Sequence, residues 1–458
     1  MSAVWSVALG QMGRRPAAFV GSAAALFLAV ASVTLFGSLL AADLATPAEV
    51  RAAVAGPGLT VIAGVFGELA VLVAFFTVAG ALGFAVRRQH GELALLRTIA
   101  ATPRQARRLV RRQVLAVVAV VALPGAAAGT GAARWFLDAL RDRGMAAGQA
   151  RIPWTVVPAS AAWGAALLVG VVAAAPAARR ITRIAPAAAL SAASGEHART
   201  GAWRLLAGLA VAVGGGLLLR VAATRPAAEA DKAGQAALLG ALVLLVAVAL
   251  AGPFLARALS WVVAGPVRLL SPGTGWLADA NLRGYARRLA SAVVPPALLV
   301  GLAGTMTIMT TTAERAAGAA TGAASATDVW LRQAELGLLV CFAAVSTVNT
   351  LVAVTADRRR EFALLRLIGA TRGRLLRMLA VESVVTTVVG VLLGGLVASA
   401  CAGAFARAVT GSALPVVSAG TCGWIVAGAA LLTVPAVLLT GVRAVRGPAA
   451  ELVAGGRD

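Results

Sequence analysis

Ten apolar runs dominate the chain, near residues 17–41, 59–86, 113–136, 154–178, 204–223, 236–257, 289–311, 335–356, 380–405 and 421–442. A helix that crosses a bilayer core needs roughly 20 consecutive apolar residues, and these runs are of that length. The composition agrees: 60% of the 458 residues are hydrophobic and 13% are charged, with a mean hydropathy of +0.88. Soluble domains are about a quarter charged, so a soluble globular chain is excluded, as are a disordered chain, a collagen-like fibre and a small disulfide scaffold. The expected fold is all-α: a polytopic membrane protein with about ten transmembrane helices and short outer loops.

Within that set, the fifth run is the weakest, because it carries Gly214, Gly215 and Gly216 and ends at Arg220. The first resembles a signal peptide, with Arg14 and Arg15 ahead of it, yet its apolar core exceeds the usual 7–15 residues. It reads as a retained helix.

Charge sets the orientation. With the N-terminus inside, the inner segments hold 30 arginines and the remainder of the chain 11 basic residues. Lys and Arg mark the cytoplasmic side, so both termini are expected in the cytoplasm of a bacterial plasma-membrane protein. The net charge of +23 would suggest nucleic acid in a soluble protein. Here the arginines sit in short loops without interleaved aromatics, so topology and anionic headgroups explain them and no nucleic-acid partner is expected.

A repeat organises the chain. Residues 91–113 read GELALLRTIAATPRQARRLVRRQ and residues 360–382 read REFALLRLIGATRGRLLRMLAVE. At an offset of 269, Glu92, Ala94, Leu95, Leu96, Arg97, Ile99, Ala101 and Thr102 match Glu361, Ala363, Leu364, Leu365, Arg366, Ile368, Ala370 and Thr371. Two homologous four-helix units are therefore expected, at 1–190 and 276–458, joined by a linker at 191–275 that carries the central helix pair. Six helices separate the copies, so both have the same orientation, the parallel type of repeat.

The second copy of the loop has the pattern of a short helix. Glu361, Leu364, Leu365 and Ile368 follow the i, i+3, i+4, i+7 spacing of one helix face. Gly369 stands where a left-handed stop residue is expected, and Arg372, Arg374 and Arg377 lead into the next run. The first copy has Ala100 in place of that glycine and Pro103 after the turn. Such a helix can lie on lipid, or its stripe can dock in a groove of a cytoplasmic partner. Retention of Glu, Leu-Leu-Arg and Ala-Thr in both copies favours docking.

Val348-Asn349-Thr350-Leu351, followed by 358–366 (RRREFALLR) and Ile368-Gly369-Ala370-Thr371, resembles the signature of FtsX-like (MacB-type) ABC transporter permeases. The resemblance covers about 60–185 and 335–450. The second copy follows the pattern, whereas the first has Gly80 at the position of Asn349 and Gln89-His90-Gly91 in place of three arginines. It implies a permease partnered by a cytoplasmic ABC ATPase dimer, one permease chain to two ATPases, with ATP and Mg held by that partner. The implied coupling residues are Glu92, Leu95, Leu96, Arg97, Ala101 and Thr102, and Glu361, Leu364, Leu365, Arg366, Gly369, Ala370 and Thr371. Large extracytoplasmic domains of the family are missing, so the expected substrate is a hydrophobic or amphiphilic compound entering from the bilayer. Two alternatives stay open: a mechanotransmitter signalling to an extracytoplasmic or membrane partner, and an ion-driven secondary transporter.

Other residues add little chemistry. Lys232, the lone lysine, sits in Asp-Lys-Ala-Gly and fits no phosphate-cradling loop, so no nucleotide hydrolysis, and no enzyme activity, is expected of this chain. Cys341, Cys401 and Cys422 lack metal-ligand spacing and read as buried small side chains, and no metal site is expected. Asn349 is expected to make an interhelical hydrogen bond, and Glu68 and Glu335 to sit at wetted outer helix ends. Thr305, Thr307 and Thr310 to Thr312 either line a path or bond back to their own helix.

Overall fold

The computed structural model describes residues 20–52, 54, 58–88, 103–153, 156–168, 172, 202–270, 286–321 and 326–446. Among them the chain is helical almost throughout and holds no strand. With no water in hydrocarbon, a helix satisfies every backbone N–H and C=O within its own segment, so long apolar runs have this one outlet. Eight described helices are long and apolar enough to cross a membrane. The chain is a multi-pass membrane protein.

Contacts divide the chain into two compact units, Met1–Glu196 and His197–Asp458. In the first, α1 (Val20–Ala45) leads through a one-turn helix, Ala48–Ala52, to α2 (Gly58–Arg88). Then come α3 (Pro103–Arg141) and α4 (Val157–Leu168). Proline suits the first helical position because its missing N–H has no partner there, and Pro103 opens α3 in that role. α1 packs on both α2 and α3. Phe36, Phe66 and Phe136, one from each helix, meet at their rings: the first pair is edge-on at 6.0 Å and the second tilted at 6.5 Å.

The second unit contains α5 (Ala202–Ala223), α6 (Ala230–Leu270), α7 (Ala286–Thr321) and α8 (Ala326–Ala356). A nine-residue helix, α9 (Arg359–Leu367), precedes α10 (Arg372–Thr410) and α11 (Ala419–Val445). α7 is the centre of this unit: 78% of its spanning stretch is buried, against 17% for α5 and 22% for α11. Its closest neighbour is α10. A methyl group on Gly394 would stand 2.6 Å from the Ala297 carbonyl oxygen, so only glycine admits this approach of two backbones. Small residues give membrane helices such contact in the absence of a hydrophobic drive between them. The spacing Gly390-x-x-x-Gly394 was the sequence signal for it.

Several expectations change. α3 starts ten residues before the apolar run at 113, α10 eight residues before that at 380, and α6 continues to Leu270 rather than 257. Apolar runs delimit what lipid covers, whereas backbone hydrogen bonding carries a helix on into water. For the same reason α7 continues past its apolar run to Thr321, and α8 begins at Ala326, ahead of its run. The glycine-rich fifth run forms one unbroken helix, with Gly215 facing the Leu244 side chain of α6. The central pair α5 and α6 packs on α7 and α10 inside the second unit. Of the cysteines, Cys401 alone is fully buried, and Cys341 is exposed on α8.

Candidate functional site

The first copy of the repeated loop, with Glu92, Leu95, Leu96, Arg97, Ala101 and Thr102, lies outside the described residues. The second copy is described in full. α8 ends at Ala356, and after a two-residue turn at Asp357 and Arg358 the chain re-enters a helix as α9. The Phe362 N–H donates to the Arg358 carbonyl at 3.0 Å, which starts its first turn.

The C-terminus of α9 closes in a Schellman arrangement. Gly369 takes a φ of +99°, its N–H donates to the Arg366 carbonyl at 3.1 Å, and the Ala370 N–H donates to the Leu365 carbonyl at 2.9 Å. A side chain at Gly369 would strain that conformation, so the left-handed stop read from the sequence is present. Two residues later Thr371 caps α10, its hydroxyl accepting from the Arg374 N–H at 3.3 Å. The loop is thus two helix ends with a four-residue turn, Ile368 to Thr371, between them.

α9 has two apolar faces. Phe362 and Ala363 are buried, and Leu365 and Ala370 are half-buried. Phe362, Leu365 and Ala370 pack on a cluster formed by Leu351 of α8, Leu375, Met378 and Leu379 of α10, and Ala436, Val437, Ala444 and Val445 of α11. Leu364, Leu367 and Ile368 point the other way, and Ile368 is 81% exposed. The single stripe expected from Glu361, Leu364, Leu365 and Ile368 is therefore split. Its outward members are joined by Leu367, and Phe362, outside the stripe, is the anchor. Arg359 and Arg360 at the start of α9, and Arg372, Arg374 and Arg377 at the start of α10, are exposed as well.

Charge holds the inner face. The Arg358 side chain is 3% exposed. Its Nε and Nη2 donate to the two carboxylate oxygens of Glu361, at 3.3 and 3.1 Å. Nη1 donates to Glu382 of α10 at 2.7 Å, and the guanidinium lies 4.9 Å over the Phe362 ring. Arg366 donates to the Val445 carbonyl at the end of α11, 3.0 Å away. Glu361 and Arg366, both read from the sequence as coupling residues, thus make bonds inside the protein. Arg358 and Glu382 are what the sequence reading missed; Arg358 is one of three consecutive arginines and Glu382 lies 24 residues on, so nothing in the spacing singles out the pair.

The remaining candidates do not join this site. Asn349 is half-buried in α8 with no side-chain hydrogen bond among the described residues, so the expected interhelical bond is not found. Glu335 lies nine residues into α8 and is buried, whereas Glu68, ten residues into α2, is exposed. Neither is at a helix end, and their environments differ. Thr305, Thr310 and Thr312 donate back to carbonyls four residues earlier, at 2.6, 2.8 and 2.6 Å, and the Thr312 hydroxyl also accepts from the Val416 N–H at 3.0 Å. Among the described residues no group of His, Cys, Asp and Glu could hold a metal.

The profile of the FtsX-like permease C-terminal family matches residues 64–186 and 335–449, somewhat more than half of the chain. The chain belongs to the FtsX-like permease family. One match falls in each half, as two permease units require, and α9 lies within the second. No curated protein matches the permease.

Proposed function

We propose that this FtsX-like permease is the membrane subunit of an ABC transporter. It couples ATP hydrolysis by a separate cytoplasmic ATPase dimer to export or extraction of a hydrophobic or amphiphilic compound. The observation that carries this reading is α9: an exposed apolar trio, Leu364, Leu367 and Ile368, on a helix whose other face is fixed to three long helices, with exposed arginines at the starts of α9 and α10. An amphipathic helix presented in this way suits a groove on a partner. Because Phe362 and the Arg358 cluster tie α9 to α8, α10 and α11, a push on the exposed face is delivered to those helices as rigid-body motion.

In this reading ATP and Mg belong to the partner, and the permease has no catalytic role. Lys232 pairs with Glu229 at 3.3 Å near the start of α6, an exposed surface pair unlike a phosphate cradle. Both termini and both repeated loops face the cytoplasm, and the protein resides in the bacterial plasma membrane.

Native mass spectrometry of the detergent-extracted permease, co-expressed with the ATPase encoded beside it, tests the coupling. One permease with two ATPases is expected. A lone chain, or a permease homodimer without ATPase, would overturn the proposal. Substrate-stimulated hydrolysis with transport in vesicles separates export from mechanical signalling.

A further inference from the structure

The connection between α10 and α11, residues 411–418, lies at the end of α10 opposite to α9. Gly411, at a φ of +75°, closes α10 as its N–H donates to the Arg407 carbonyl at 3.1 Å, and the Ser418 hydroxyl caps α11. Between these caps the backbone is irregular and folds back on the helices. A methyl group on Gly403 of α10 would stand 3.2 Å from the Ala413 carbonyl oxygen. Val416, half-buried, is held by α7 at both of its backbone groups. Its carbonyl accepts from the Thr311 hydroxyl at 2.8 Å, and its N–H donates to the Thr312 hydroxyl at 3.0 Å. Pro415 before it has no N–H to satisfy. Irregular backbone is tolerated beside hydrocarbon only where protein supplies such partners in place of water.

The loop differs in chemistry from its neighbour. Residues 408–442 contain no charged side chain. The α5–α6 connection is at the same end of the unit, since Ala222 and Ala233 on either side of it pack with Phe405 and Ala408 of α10. It carries Arg225 and Lys232 paired with Glu229, at 2.9 and 3.3 Å, which suits water. In the uncharged loop Leu414 is 82% exposed and Val417 55%, one on each side of the fastened stretch. Trp424, in the second turn of α11, is 78% exposed. Tryptophan is enriched where membrane helices meet the headgroups, and only 22% of the spanning stretch of α11 is buried, so a lipid-facing surface runs up to the loop. Arg407, exposed in the last turn of α10, can extend its guanidinium to a lipid phosphate while its methylenes stay among the chains.

We infer that the 411–418 loop is a membrane-contacting surface: it is seated in the headgroup layer on the face opposite α9, with Leu414 and Val417 against lipid and Val416 fastened to α7. The inference does not depend on ATPase coupling, so the full permease in phosphatidylethanolamine–phosphatidylglycerol vesicles is the sample. In a background of Cys341→Ala, Cys401→Ala and Cys422→Ala, a nitroxide at Leu414→Cys or Val417→Cys is compared with one at Lys232→Cys. At 414 and 417, collisions with oxygen, which partitions into lipid, are expected to exceed those with a water-soluble nickel chelate; at 232 the order is expected to reverse. A chelate excess at 414 and 417 would overturn the inference in favour of a loop in water. Few collisions with either reagent would overturn it in favour of a protein cover. Thr311→Val with Thr312→Val is expected to free the loop, seen as a more mobile spectrum at 414 and a ratio shifted towards water. An unchanged spectrum there would refute the fastening to α7. The unaltered permease provides a second reading: a lipid with a diazirine close to its headgroup is expected to label residues within 413–417 on illumination and to spare 225–232. Labelling of neither segment, or of both equally, would count against the seat.

Discussion

Arg358 and Glu382 stand at positions whose counterparts in the first copy, 269 residues earlier, are Gln89 and Gln113. Both members of the 2.7 Å ion pair are thus amides in the other copy, while Glu361 is matched by Glu92. A buried charge is tolerated only with its partner, so replacing one member is costly and replacing both is not. Arg358→Gln leaves Glu361 and Glu382 facing each other without a cation. It is expected to cost about 3 kcal/mol, the low end for a broken buried pair because the carboxylates keep 24% and 15% exposure. Glu382→Gln removes one charge-assisted bond but leaves Glu361 on the guanidinium, about 2 kcal/mol. The double variant returns the cluster to its original net charge, with Glu361 as its one carboxylate beside an amide pair, and is expected to cost no more than Arg358→Gln alone. The cycle therefore gives a coupling of about 2 kcal/mol, read from unfolding free energies in detergent micelles. Additive costs, with a coupling under about 0.5 kcal/mol, would refute the view that the pair acts as one unit.

Phe362→Ala removes the 1% exposed anchor of α9; a loss of about 3 kcal/mol and faster amide exchange across 359–370 are expected. Leu364→Ala with Ile368→Ala touches only exposed side chains, so unfolding should change by no more than about 0.5 kcal/mol while ATPase association falls about tenfold. Unchanged association in that variant would contradict docking on this face. Gly394→Leu drives a side chain into the α7 backbone and is expected to destabilise by 2 kcal/mol or more, roughly the upper range for overpacking, read as lost monodisperse extraction or lowered melting.

The apolar runs made the spanning helices legible because burial in lipid leaves the backbone one way to satisfy itself. Gly369 was legible because a stop residue after a short apolar helix needs a left-handed backbone, and the structure has it. The helix ends were not: nothing in hydropathy marks where a helix stops once it is in water, so α10 reaches back to Arg372. Which residues of α9 face inward was also hidden. Glu361, Leu364, Leu365 and Ile368 make a consistent stripe, but Phe362 and Ala363 beside it are apolar too, and periodicity alone cannot rank two adjoining apolar faces. Contact with the cluster on α10 and α11 decides it, and its α11 part joins residues more than 70 positions apart.

The split of α9 bears on the choice between lipid and a partner. A helix lying on lipid is free to roll so that its most apolar side turns to the acyl chains. α9 is not free: Arg358, Phe362 and Arg366 fix its rotation through α10, the neighbouring cluster and the Val445 carbonyl. Its best hydrophobe, Phe362, is spent inside the protein, and three aliphatic side chains are left exposed on the outward face. Charge reversal at Glu361 or Arg366 would consequently unseat the helix rather than probe its exposed surface. Substitutions at Leu364, Leu367 and Ile368 leave the anchor intact and report on what meets the outward face.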